Sequence, residues 1–216
     1  MEAPYSEAQT YKYLQRINFP LGEKPSYPPA TLETLRHLVA CHLHAVPFED
    51  LSLHYSVNPK VTVAKDFVFE KFVNQCRGGY CMEQNRAFSD LLQTLGYDVY
   101  TVGARVYMGN QNGFGGFAHM AIIVTLDEIE YLTDVGFGGY GLTAPIPIFD
   151  GKDIIETPID GVIPEQHRVT RGVLPNARKK GHKVWLLQSR RNVESDWDII
   201  YAFEKDFEFL PRDYEL

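Results

Sequence analysis

The stretch Phe88-Ser-Asp-Leu-Leu-Gln-Thr-Leu-Gly-Tyr-Asp-Val-Tyr-Thr-Val102 divides the chain into two kinds of pattern. Phe88, Leu91, Leu92 and Leu95 recur at helical spacing, and Gly96 is the residue type that closes such a helix. Beyond Gly96 the sequence turns β-branched and aromatic, with strand-like runs bounded by Gly, Asn or Asp.

Upstream, the reading is helical. Ser6 and Gln9 have the spacing of a capping box, and Ala8, Tyr11, Leu14 and Ile17 mark one helix face. Gly22, Pro25, Pro28 and Pro29 break the chain. Thr31 caps a second predicted helix that Pro47 stops, and Thr62 caps a third running to about Gln75. Arg77-Gly-Gly-Tyr80 is a sharp break, after which a fourth helix starts near Cys81.

Downstream, strands are predicted over Asp98 to Met108, His119 to Leu126, Tyr131 to Phe137, His167 to Leu174, Lys183 to Arg190 and Trp197 to Glu204. The Pro/Gly/Asp-rich stretch from Gly138 to Pro164 reads as a long ordered loop. Helices first and strands second predict an α+β chain: a helical domain over 1–96 carrying the cysteine, and a β-rich domain over 97–216 forming an antiparallel barrel or sheet.

Composition narrows the function classes. A formal net charge of −7 argues against a nucleic-acid partner. The most basic stretch, Arg178-Lys-Lys-Gly-His-Lys183, reads as a solvated loop. No apolar run is long enough to cross a membrane, and Met1-Glu-Ala-Pro-Tyr-Ser-Glu7 lacks the pattern of a signal peptide. Three cysteines make a poor disulfide framework and fit a reducing cytosol, so a cytoplasmic protein is expected. No paired CxxC or HxxxH spacing suggests a metal site. Aromatic content of 13% suits either a well-packed core or a cleft lined for a flat apolar substrate.

Cys81 opens a predicted helix directly after two glycines and Tyr80. The free N–H groups of a helix start favour a thiolate, and the glycines leave the sulfur reachable. Cys41 and Cys76 follow no such turn and read as buried packing residues. A cysteine nucleophile needs an imidazole to take its proton and a third group to hold that imidazole. His37, His42, His44 and His54 read as surface or packing residues, and His167 and His182 have no acid spaced to match them. His119 follows Gly113-Phe-Gly-Gly-Phe-Ala118 and opens an apolar strand, where a polar ring can face a cleft. Asp134 sits in the apolar run Tyr131-Leu-Thr-Asp-Val-Gly-Phe137, where a carboxylate needs a partner. A hairpin turning near Asp127-Glu128 would bring Asp134 beside His119.

These residues resemble the arylamine N-acetyltransferases. The resemblance is carried by Arg77-Gly-Gly-Tyr-Cys-Met-Glu-Gln-Asn85, by Val46-Pro-Phe-Glu-Asp-Leu-Ser-Leu53, by the segment around His119 and by Thr133-Asp-Val-Gly-Phe-Gly138. Asp50 departs from the family's more usual Asn. The resemblance implies a cysteine-protease-like catalytic core and a ping-pong reaction. Cys81 would take an acetyl group from acetyl-CoA and pass it to an arylamine or arylhydrazine, with His119 moving protons and Asp134 orienting it. It also implies a Glu49–Arg77 ion pair at the glycine turn, acceptor contacts from Phe48 and Phe137, and CoA contacts from Gly115, Gly116 and Phe117. A family member would continue into a C-terminal α/β region. The sequence stops at Leu216, so that lid is read as missing or truncated, which would leave apolar surface favouring self-association. Alternatives are a relative using malonyl-CoA or making amides, a cysteine hydrolase, and an inactive homologue that only binds.

Overall fold

Ser6 Oγ accepts the Gln9 N–H at 3.3 Å, and Gln9 Oε1 accepts the Ser6 N–H at 2.9 Å. This reciprocal cap opens α1 (Glu7–Arg16) in the computed structural model, which describes residues 3–22, 26–59, 62–151, 154–159, 162–174, 178–179 and 181–215. Thr31 caps α2 (Leu32–Ala45) from one side only, its Oγ1 accepting the Thr34 N–H at 3.2 Å. A short α3 (Leu51–Tyr55), which the sequence pattern missed, follows.

The third predicted helix starts late. Thr62 Oγ1 accepts the Ala64 N–H at 3.2 Å, so it closes a turn instead of capping a helix. The helix α4 begins at Lys65 and runs to Phe69, then widens into a π turn over Glu70–Asn74. Cys76 ends this segment with φ +53° and is exposed, which corrects its reading as a buried packing residue. The helix α5 (Cys81–Thr94) starts at Cys81 itself. It closes with Gly96 at φ +90° and with Tyr97 N–H bonded to Leu92 O and Gly96 N–H to Gln93 O. That pair of bonds needs a left-handed residue after the cap, which glycine adopts without strain.

Among the described residues eight strands follow: β1 (Asp98–Tyr107), β2 (Phe114–Leu126), β3 (Ile129–Thr133), β4 (Ile146–Pro147), β5 (Ile154–Ile159), β6 (Val162–Val173), β7 (Lys183–Arg190) and β8 (Asp198–Phe203). The predicted loop from Gly138 to Pro164 therefore contains β4, β5 and the start of β6; Pro/Gly content hid short edge strands. Residues 152–153 and 160–161 of it lie outside the described residues. A one-turn helix α6 (Gly109–Asn112) joins β1 to β2.

All pairings are antiparallel, in the order β4-β3-β2-β1-β8-β7-β6-β5. The sheet curls into a nearly closed barrel. The segment after β4 clips onto β6 through Gly151 N–H to Val169 O at 2.8 Å and Asp150 Oδ1 to Arg171 N–H at 2.6 Å. The strand β2 is buried on both faces: Ile122 and Val124 join the helical core, while Ala121 and Ile123 join the barrel interior. That double burial explains the continuous apolar run His119-Met-Ala-Ile-Ile-Val124. The strand β2 thus joins the helical core to the barrel interior, giving the α+β, cysteine-protease-like arrangement. Among the described residues no helix is long and apolar enough to cross a membrane.

His42 ties the helices together from inside. Its Nδ1 lies 3.1 Å from Tyr13 Oη and its Nε2 2.7 Å from Gln84 Oε1, with the ring fully buried. Burial drives its pKa down to about 4, against the raising effect of the Gln84 bond. The ring is neutral when folded and must charge on unfolding in acid. Stability is therefore unaffected above the ordinary histidine value of 6.5, falls as the pH drops through 6.5, and levels off below about 4. The difference of 6.5 − 4 is 2.5 units, or about 3 kcal/mol. Thermal melts between pH 7 and pH 4 should show a steeper acid-side loss for the native protein than for His42→Gln. Equal slopes would contradict this role for His42.

Candidate functional site

The turn before α5 is held open for Cys81 by close backbone contact. Gly79 N–H donates to Pro47 O at 3.3 Å and Gly79 O accepts the Glu49 N–H at 3.0 Å, so residues 47–49 pair with the turn. A Cβ on Gly78 would overlap the Pro47 carbonyl, which is why this position takes only glycine. Gln84 Nε2 adds bonds to Pro47 O at 2.9 Å and Gly79 O at 3.3 Å. Cys81 then stands half-buried at the first helical position, its Sγ 3.6 Å from Ala118 O.

The approach of His119 depends on a bulge. Ala104 pairs with His119 but Arg105 pairs with Phe117, leaving Ala118 as an extra residue. A bulge reverses the in–out alternation of side chains. Phe117 consequently lies outside, under the Arg105 guanidinium at 3.8 Å and against Phe209 at 5.2 Å, while His119 turns inward against Tyr201 at 5.1 Å. The predicted glycine loop is therefore strand: Phe114 already pairs with Tyr107, and His119 sits within β2, not at its mouth.

Asp134 lies one residue past β3, not inside a strand as expected. The hairpin turns at Asp127 and Glu128, both with positive φ, and this register sets Asp134 next to His119. His119 Nε2 is 2.7 Å from Asp134 Oδ2, and both residues are almost wholly buried, at 2% and 1% exposed. Leaving the strand lets the carboxylate collect donors. Tyr201 Oη donates to Oδ2 at 3.1 Å; Asn85 Nδ2 at 2.8 Å and Gly136 N–H at 2.9 Å donate to Oδ1. Asn85 Oδ1 accepts the Val135 N–H at 3.0 Å, tying α5 to this turn. A Cβ on Gly136 would press on Cys81 O and Asn85 Nδ2, so glycine is what lets the acid turn approach the cysteine helix.

Burial alone would lower the His119 pKa, but the Asp134 carboxylate and its hydrogen bond, with a further contribution from Cys81, hold it raised, to about 10. For Asp134, burial pushes up; His119 first, then Asn85 and Gly136, outweigh it and leave the carboxyl lowered. The Tyr201 hydroxyl is held well above its usual value by burial and by Asp134, so it remains a donor. The pair is thus an imidazolium held by a carboxylate, beside the Cys81 sulfur. Chemically this set can hold a thiolate and return a proton to a leaving group.

The other expected positions are more scattered. Phe137 lies edge-on to His119 at 5.2 Å and lines a cavity of about 350 Å³ at the barrel mouth, with Tyr107, Tyr140, Ser189 and Arg190. Phe48 pairs through its backbone with Gly79 and is 52% exposed. Gly115 and Gly116 lie on β2 with Phe117, and Gly115 O accepts from Arg105 Nη1 at 3.1 Å. The Glu49–Arg77 pair forms at 2.8 Å. His182 lies 2.8 Å from Glu204, an acid that sequence spacing did not offer and that the β7–β8 pairing supplies. Sequence reasoning missed Tyr201, Asn85 and Lys71; for Asn85, its place one helical turn past Cys81, on the same helix, was the available signal.

With the site in view, comparison with known proteins agrees. A family model described as N-acetyltransferase matches residues 31–207. The chain is 30% identical over 243 residues to N-malonyltransferase FDB2 of Fusarium pseudograminearum, covering 98% of this chain and 68% of that protein. It superposes on the arylamine N-acetyltransferase of Mycobacterium abscessus with a TM-score of 0.74 at 30% identity, over 95% of this chain and 66% of that one. The Mycobacterium marinum enzyme in complex with CoA gives a TM-score of 0.73 at 27% identity, over 95% and 68%. The chain spans about two thirds of the length of these proteins. It belongs to the arylamine N-acetyltransferase family.

Proposed function

We propose that this member of the family is an N-acyltransferase that moves an acetyl group from acetyl-CoA to an arylamine or arylhydrazine through a Cys81 thioester. The observation that carries the reading is the buried His119–Asp134 pair at 2.7 Å beside the helix-start thiol of Cys81. The Cys81 thiolate attacks the acyl carbonyl, and the first-turn N–H groups of α5 would serve as donors to the developing oxyanion. The C–S bond to CoA breaks, and the imidazolium of His119 gives its proton to the departing sulfur. Neutral His119 then accepts the proton of the attacking amine nitrogen, and Cys81 leaves as thiolate. Asp134 orients the ring and stabilises its charged form at both stages. Phe137, which touches His119 and lines the barrel-mouth cavity, would flank the acceptor ring; Phe48 would flank it from the Gly79 side. Gly115, Gly116 and Phe117 would meet CoA.

A second reading, malonyl transfer, is favoured by one observation: the Fusarium N-malonyltransferase is similar over nearly the whole chain. Intact-protein mass spectrometry after separate incubation with acetyl-CoA and malonyl-CoA decides the donor. One adduct, on Cys81, is expected with acetyl-CoA, and an arylamine should hasten its loss while forming the amide. A malonyl adduct alone would move the assignment to the second reading. Adduct loss indifferent to amine would indicate a hydrolase, and no adduct with either donor would leave a binding role.

A further inference from the structure

We infer that Lys71 is a positioning residue for the Cys81 thiol: its buried ammonium joins Glu83, which caps the Cys81 helix, to Glu49, which anchors the turn before it. The inference rests on the acyl-transfer reading of Cys81. Lys71 is 3% exposed, with Nζ 2.8 Å from Glu83 Oε2 and 3.6 Å from Glu49 Oε1. Lysine is seldom so deep, and an unpaired ammonium there would be costly. The π turn Glu70–Asn74 carries it inward: Lys71, Phe72 and Val73 are buried while Glu70 and Asn74 face solvent. Such wide turns recur at functional sites.

Glu83 has two partners on the same oxygen. Besides Lys71, its Oε2 accepts the N–H of Tyr80, the residue immediately before Cys81, at 3.2 Å. Gly79 leaves room for this, since a Cβ there would overlap Glu83 Oε2 and the Phe72 ring. On the other side, Glu49 Oε1 accepts from Arg77 Nη2 at 2.8 Å, and Glu49 N–H reaches Gly79 O. The segment from Arg77 to Tyr80 is thus held by a carboxylate at each end. Among the described residues, Lys71 is the cation that touches both carboxylates.

The charges also matter. Glu49 and Glu83 carry two negative charges, and Arg77 and Lys71 carry two positive ones, so the cluster at the start of the Cys81 helix is neutral. Burial pushes the Glu83 carboxyl pKa up and Lys71 opposes it. Without Lys71, either an uncompensated negative charge remains near Cys81, or Glu83 takes a proton and becomes a poorer acceptor for Tyr80 N–H. The first disfavours a thiolate and the second loosens its backbone.

The test is the pH profile of Cys81 alkylation by iodoacetamide, followed by peptide mass spectrometry, with exposed Cys76 as internal reference. Lys71→Met should slow Cys81 alkylation at neutral pH by about tenfold and move the profile to higher pH. Glu83→Gln, which leaves a positive excess, should move it to lower pH. The neutral pair Lys71→Gln/Glu83→Gln should return it close to that of the native protein. The acylation rate with acyl-CoA should follow the same order, with KM changing less than about twofold. Shifts of one sign in both single variants, or a double variant no better than Lys71→Met, would overturn the inference. If Lys71→Met does not fold, Glu83→Gln and the double variant still carry the comparison. Failure of the native protein to acylate Cys81 would sink the acyl-transfer reading instead, while the alkylation profiles would still decide the role of Lys71.

Discussion

Replacing Cys81 by alanine is expected to abolish the acyl adduct and to lower amide formation by on the order of 10⁴-fold or more, because no other group can carry the acyl chain between half-reactions. The fold should survive. Cys81 occupies the first position of α5, is only half-buried, and its Sγ makes a long contact of 3.6 Å to Ala118 O. Melting temperature should therefore change by no more than a few degrees. Intact mass spectrometry with acyl-CoA, run beside circular dichroism melts, checks both halves. An adduct of undiminished yield in Cys81→Ala would transfer the nucleophile's role to another residue, with exposed Cys76 the first to map.

Asp134→Asn is expected to lower kcat by about 10⁴-fold while leaving the fold recognisable. The new amide has one oxygen and one nitrogen where the carboxylate had two acceptors. Asn85 Nδ2 and Gly136 N–H both donate to Oδ1, so the amide oxygen must take that place. The amide nitrogen then faces His119 Nε2 and forces that nitrogen to accept. The ring proton moves to Nδ1, on the side left for Cys81, and His119 can no longer take the thiol proton. Stability should fall by about 3–5 kcal/mol, the usual effect of breaking a buried pair by removing one partner. The sign with pH follows from the two shifts. His119 is raised to about 10, so its contribution is complete below 6.5 and fades as the pH rises toward 10. Asp134 is lowered, so its contribution is complete above 3.8 and fades as the pH falls below that. The melting difference between Asp134→Asn and the native protein should be largest between about pH 4 and 6.5 and shrink toward alkaline pH. A difference that grows with rising pH would show that the imidazolium–carboxylate pair is not what Asp134 supports.

The helix caps and the cysteine turn were legible because their physics is local. Ser6 with Gln9, Thr31 and Gly96 each act within a few residues, so residue type and spacing suffice, and the pair of glycines before Tyr80 marks a tight turn by residue type alone although its contacts are to Pro47 and Glu49. Thr62 shows the limit: the same local chemistry can close a turn or start a helix, and only the packing of α4 chooses. The short strands β4 and β5 escaped notice because edge strands carry little periodicity of their own and gain their geometry from β3 and β6.

The sequence by itself determined the order of helices then strands, the helix start at Cys81, and the hairpin that sets His119 near Asp134. These depend on capping, turn chemistry and two short antiparallel registers. Only the tertiary structure decided how the site is supported. The bulge at Ala118 that turns His119 inward needs its partner strand to be defined. Tyr201 reaches Asp134 from 67 residues away, and Lys71 meets Glu49 and Glu83 only once the π turn has packed beneath α5. The physical reason is the same in each case. A buried polar atom must find a partner when water is excluded, and which atoms are buried together is settled by the packing of distant segments, not by the neighbours along the chain.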